Sequence, residues 1–128
     1  GDEVNLLEMG RNYGWPVITY GREYKGGAIG EGTHKDGMQQ PLHYYVPSIT
    51  TAAVEYYDSS ASPGWRNSLL VAGLRSQSLS RIQLKAGKKV SEERLLEDQK
   101  FRIREVRQGP DGYLYLLVEQ GMLLQISP

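Results

Sequence analysis

Residues 101–118 constrain the fold more than any other stretch, because a turn with few alternatives separates two runs of strand-forming residues. Pro110 fixes φ near the value that the second position of a β-turn needs, and Asp111-Gly112 supplies a side-chain acceptor and a residue free to take positive φ. A β-hairpin is predicted. On its first arm the side chains alternate, so Phe101, Ile103 and Glu105 are expected on one face and Arg102, Arg104 and Val106 on the other. Arg102 and Arg104 then stand side by side on a rigid strand, where like charges repel unless water or an anion separates them. From composition they fit the solvated face of an edge strand. The sharper alternative is a clamp for a polycarboxylate or phosphate, which planar, permanently charged forks bind in pairs.

The rest of the chain shares this strand-and-turn character. Nine Tyr and two Trp against one Phe, with 15 Gly and six Pro, suit many short strands better than helical packing, so the fold class is all-β. Residues 2–7 alternate polar and apolar side chains and are expected as a short strand. Gly10-Arg11-Asn12-Tyr13-Gly14-Trp15-Pro16 is a turn-rich aromatic loop. Its rings either plug the edge of a core or wrap a ligand or ion. Strand character is expected again at 17–20, followed by a long Gly-rich surface loop over 24–40 that holds Glu31, His34 and Asp36. Their spacing matches neither an EF-hand nor a zinc site. Further strands are predicted at 42–46, 49–57, 68–74, 79–84 and 90–96. Good helix formers at 92–99 offer a helix instead, but the neighbouring strands and the missing N-cap favour the strand.

Charge and cysteine content remove several classes of function. Fifteen basic residues balance 15 acidic ones, so no basic field argues for nucleic acid. No cysteine means neither a disulfide framework nor a thiolate site, and no apolar run approaches a membrane span. With 128 residues the chain has the size of one ordinary domain, yet it starts at Gly1 inside a motif-like segment, as a cut chain would.

A repeat gives the architecture. Leu69-Leu70-Val71 recurs as Leu116-Leu117-Val118, and Ile82-Gln83-Leu84 recurs in kind as Leu124-Gln125-Ile126. A period of roughly 40–50 residues with four short strands per unit is the pattern of propeller blades. Residues 1–47 are expected as the end of one blade plus a long loop, 48–97 as one full blade, and 98–128 as three strands of the last. Closing a ring takes at least about four blades, so the chain is expected to be a β-propeller fragment of about two to three blades. The missing fourth strand is then expected from elsewhere, and open blade edges give a lone piece a reason to self-associate.

Several motifs in order now carry a resemblance. Gly1-Asp2-Glu3-Val4-Asn5, Asn12-Tyr13-Gly14-Trp15-Pro16, Trp65-Arg66, Gly73-Leu74-Arg75, Arg102-Ile103-Arg104 and Gly109-Pro110-Asp111-Gly112-Tyr113-Leu114-Tyr115 resemble the C-terminal part of the soluble pyrroloquinoline-quinone-dependent aldose sugar dehydrogenases. This family, which includes the soluble glucose dehydrogenase, is a six-bladed β-propeller. The resemblance implies pyrroloquinoline quinone (PQQ) and Ca²⁺ as cofactors and a small-molecule sugar as substrate, with no electron acceptor specified. It implies that Arg102 and Arg104 contact the tricarboxylated quinone, with Arg75, Tyr24 and Ser48 near it, and that Glu3 and Tyr13 belong to a structural calcium site. It also implies a periplasmic or secreted location. The family's catalytic histidine lies upstream of Gly1, and neither His34 nor His43 matches it. The chain alone is therefore expected to be inactive. The alternative is a non-catalytic propeller used for binding, since one fold hosts many functions.

Overall fold

The structure, a computed structural model, describes residues 1–127. The described chain is all-β, with nine strands, one 3₁₀ turn and no α-helix, so no helix there is long and apolar enough to cross a membrane. It divides into two compact units, Gly1–Ile49 and the chain from Thr50 onward.

In the first unit β1 (Asp2–Val4) pairs antiparallel with β2 (His43–Tyr45), setting Glu3 opposite Tyr44. The strand expected over 2–7 stops at Val4. Beyond it, the Tyr13 hydroxyl donates to the Leu6 carbonyl at 2.6 Å and accepts the Glu8 N–H at 2.7 Å, which curls the chain into a loop. The strand expected at 17–20 does not form. The N–H groups of Val17 and Ile18 both return to the Gly14 carbonyl, at 2.6 and 3.0 Å, and close a turn. The long loop over 24–40 then folds back onto this turn, with Thr19 N–H on the Gly32 carbonyl and Glu31 N–H on the Val17 carbonyl. Gly30 permits that approach, since a Cβ there would meet the Val17 carbonyl oxygen at 2.3 Å.

The second unit follows the strand pattern closely. β3 (Thr51–Tyr57), β4 (Ser68–Gly73), β5 (Ser78–Lys85) and β6 (Lys88–Leu95) form a four-stranded antiparallel sheet in sequence order. β7 (Ile103–Gln108), β8 (Leu114–Val118) and β9 (Met122–Ile126) form a second sheet of three strands. Glu92, Glu93 and Arg94 are strand residues, not helical ones, with Arg81 opposite Glu93 and an ion pair between them at 2.5 Å. Tyr57, Leu70, Ala72 and Leu79 from the first sheet pack with Ile103, Val106, Leu114, Leu116 and Val118 from the second. Val71, pointing the other way from β4, is buried as well, so this strand is apolar on both faces and shows no alternation.

The hairpin forms as expected. Gly112 N–H bonds the Gly109 carbonyl at 2.9 Å, Asp111 Oδ1 accepts the Tyr113 N–H at 3.1 Å, and Gly112 sits at φ 84°. Its first arm departs from strict alternation: Val106, expected beside the arginines, lies wholly buried in the core with Ile103. A β-bulge between Ile103 and Glu105 causes this, because the extra residue shifts the phase and brings two residues three apart onto one face. The turn is pinned from outside by Tyr57, whose hydroxyl donates to the Gly112 carbonyl at 2.7 Å. Gly112 is the residue least open to substitution here, since a Cβ would lie 2.2 Å from Ser59 Oγ in a backbone conformation that L side chains rarely adopt. Gly112→Ala is expected to destabilise the protein by about 1–2 kcal/mol in urea denaturation; an unchanged midpoint would show that the turn relaxes without cost.

Candidate functional site

One end of the second unit collects the arginines. Antiparallel pairing sets Gly73 beside Thr51 and Ser78, Leu79 opposite Leu95, and Ile103 opposite Val118. The connections 74–77, 96–102 and 119–121 therefore emerge at that end. Side chains tie them together: Gln77 and Gln120 both donate to the Lys100 carbonyl, at 3.1 and 3.2 Å, and Arg102 Nη1 donates to the Leu74 carbonyl at 3.4 Å. Arg75, exposed, follows Leu74 directly.

Arg102, just before β7, and Arg104, at its start, reach the same acceptor. What holds them is Glu119, the first residue beyond β8. The Glu119 N–H bonds the Arg102 carbonyl at 2.9 Å, extending the β7–β8 ladder by one step and fixing the carboxylate beside the arginines. Arg102 Nε then donates to Glu119 Oε2 at 2.5 Å, and Arg104 Nη2 donates to Glu119 Oε1. One carboxylate thus bridges two guanidiniums. The signal available in the sequence was register: an acid just beyond the partner strand of a two-arginine strand is placed to face it.

The hydrogen bond from Arg102 is the main cause that holds the Glu119 carboxyl below the usual carboxylate range, helped by Arg104 and opposed by partial desolvation. A depressed carboxyl contributes to stability above its unfolded-state value, and that contribution is lost as pH falls through the folded one. The bridge is therefore intact at neutral pH. Each guanidinium offers five N–H donors. Arg102 commits two and Arg104 one, which leaves most of their donors available, at an end where Arg75, Lys100, Arg102 and Arg104 stand against Glu97, Asp98 and Glu119. A polycarboxylate fits this chemistry.

The other predicted residues belong to the first unit. Tyr24 is fully exposed in the long loop, and Ser48, half-buried, follows β2. Tyr20, Arg22 and Glu31 from the loops and Tyr44 from β2 help line a groove of about 780 Å³ in which the rings of Tyr20 and Tyr44 stack with centroids 3.7 Å apart. Glu3 sits on β1, and Asn5 Nδ2 donates to Glu3 Oε2 at 3.4 Å. Asn5 Oδ1 is buried and accepts no hydrogen bond among the described residues, an orphaned oxygen beside a carboxylate. Oxygen donors of this kind suit a hard cation. The Tyr13 hydroxyl is committed within its loop, which leaves its backbone carbonyl as the atom able to serve. Among the described residues no group of three or more His, Cys, Asp or Glu side chains gathers for a metal. His34 is exposed in its loop with Nδ1 2.8 Å from Thr33 Oγ1, and His43 lies on β2 edge-on to Tyr45. Trp65 packs against the core and lies under Arg81, a structural role.

The glucose/sorbosone dehydrogenase family model matches residues 1–125. The chain is 38% identical to the aldose sugar dehydrogenase YliI of Escherichia coli K12, over 100% of the chain and 36% of that protein. It matches the crystal structure of the soluble aldose sugar dehydrogenase from Escherichia coli in the apo form with a TM-score of 0.94 and 37% identity, covering 100% of this chain and 38% of that one. The PQQ-bound aldose sugar dehydrogenase from Streptomyces coelicolor matches with a TM-score of 0.63 and 30% identity, over 90% of this chain and 29% of that one. The chain thus spans little more than a third of the E. coli relatives, and its sheets are part of a β-propeller. A family match over nearly the whole chain, joined to strands and a hairpin in the expected order, means that the chain belongs to the glucose/sorbosone dehydrogenase family.

Proposed function

We propose that the protein containing this chain is a quinone-dependent oxidoreductase that oxidises aldose sugars at the anomeric carbon, and that this chain supplies the anion-binding side of its cofactor site. The arginine pair bridged by Glu119, with most of its donors uncommitted, carries the reading. Membership of the family and similarity to a PQQ-bound relative support it. Arg102 and Arg104 hold the carboxylates of the quinone, and Arg75 adds a cation at the same end of the unit; Tyr24 and Ser48 are cofactor residues by family resemblance. When bound, the quinone supplies a hydride acceptor. This chain's task is to bind and orient it. The proton of the sugar's anomeric hydroxyl passes to a base outside these residues, since neither His34 nor His43 is assigned that role.

Calcium belongs to the same reading. Glu3, the Tyr13 carbonyl and the orphaned Asn5 Oδ1 form an oxygen donor set for a structural ion in the first unit. Residues 48–97 act as one blade and 98–128 as three strands of another, whose open edge at β9 accepts a strand from elsewhere or from a second copy. A periplasmic or secreted location goes with the cofactor.

The test is sugar-dependent reduction of an artificial electron acceptor by the full-length protein after loading with PQQ and calcium. Turnover with aldoses is expected only after loading, and the 128-residue chain by itself should give none. No oxidation of any aldose by quinone-loaded, folded full-length protein would sink the reading.

A further inference from the structure

Glu119 has a role beyond partial charge balance. Among the described residues it is the single acid bonded to both Arg102 and Arg104, and its own place is set by the backbone through the bond from Glu119 N–H to the Arg102 carbonyl. The β-bulge at 103–105 turns Ile103 and Val106 inward and leaves both arginines on the exposed side, within reach of that one carboxylate. Without it, two long, flexible, mutually repelling side chains would sample many rotamers, and each would have to be ordered when an anion binds. With it, both forks are held before the anion arrives, and their remaining donors are presented together.

We propose that Glu119 is a positioning residue that preorganises Arg102 and Arg104 for a ligand bearing several carboxylates on one rigid frame, and that it keeps hold of both forks when that ligand is bound. The proposal rests on the quinone reading above. Removing the carboxylate has two opposed effects. It raises the local positive charge, which favours anions, but at this exposed site water and salt screen that gain. It also frees two side chains, a loss that screening does not reduce. Positioning is therefore expected to dominate.

The experiment is a PQQ absorbance titration of the unloaded full-length protein, comparing wild type with Glu119→Gln, Glu119→Asp, Arg102→Ala, Arg104→Ala and the Glu119→Gln/Arg104→Ala pair. Glu119→Gln should weaken binding about tenfold, and Glu119→Asp, which keeps the charge, should stay within about threefold of wild type. The loss caused by Arg104→Ala should shrink in the Glu119→Gln background, a coupling that a merely structural acid would not give. Binding by Glu119→Gln as tight as wild type, or an Arg104→Ala loss equal in both backgrounds, overturns the assignment. If neither arginine substitution weakens binding, the cofactor reading itself has failed; if both do and Glu119→Gln does not, only the role of Glu119 has. A measurement on wild type covers the case in which Glu119→Gln does not fold. The Arg102 Nε–H, bonded to Glu119, should give a slowly exchanging nitrogen-15 NMR signal that persists on loading with the quinone. Disappearance of that protection on loading also overturns the proposal.

Discussion

Arg102→Ala combined with Arg104→Ala is expected to weaken PQQ binding to the full-length protein by on the order of a thousandfold, while each single substitution costs about ten- to a hundredfold. The size follows from the chemistry of the pair. Each guanidinium can offer a planar set of donors to a carboxylate, and a hydrogen bond to a charged group is worth about 1.5–3 kcal/mol, so two lost partners account for about two to four orders of magnitude. A second effect acts in the same direction. With both cations gone, Glu119 remains as an unpaired acid where the ligand's carboxylates would come, and like charges disfavour the complex. Arg75→Ala should cost less, because Arg75 is exposed and lies outside the Glu119 bridge. Titration at two salt concentrations checks the electrostatic origin: the wild-type affinity should fall with added salt more steeply than that of the double variant. A double variant that binds the quinone within threefold of wild type would remove the arginines from the site.

Leu116→Ala carries the largest expected effect on stability, about 3 kcal/mol in urea denaturation of the same protein. Leu116 is wholly buried on β8 and belongs to the cluster shared by the two sheets of the second unit, which includes Tyr57, Leu70 and Ala72 from the first sheet and Ile103 and Val106 from its own. Truncation there removes transfer free energy and leaves a cavity lined by residues from both sheets. The neighbouring Leu117 gives the control. It points to the other face and is half exposed, so Leu117→Ala should change stability by less than about 0.5 kcal/mol. Equal effects at the two positions would mean that the register of β8 against β7 is not the one described.

These two outcomes separate what lies in the sequence from what does not. The strands of the second unit were legible because local signals agree there: short apolar runs, turn residues at hairpin spacing, and Pro110-Asp111-Gly112 with its single good solution. The first unit was less legible. Val17 and Ile18 look like strand residues, but a strand needs a partner, and their N–H groups go to the Gly14 carbonyl instead. Alternation also failed at Val106, since a bulge is chosen by the packing of two sheets and leaves little trace in a period of two.

By itself the sequence determined that the chain is all-β, where most strands of the second unit run, and that Arg102 and Arg104 lie close together at the start of one strand. These depend on residue types and short spacings. Tertiary structure alone decided that Ile103 and Val106 share the core, that Asn5 carries a buried oxygen without a partner, and that Glu119 holds the arginine pair. Each of those depends on which backbone lies beside which, and in a sheet that is set by register and packing between strands, with partners 15 and 17 positions apart at the arginine bridge.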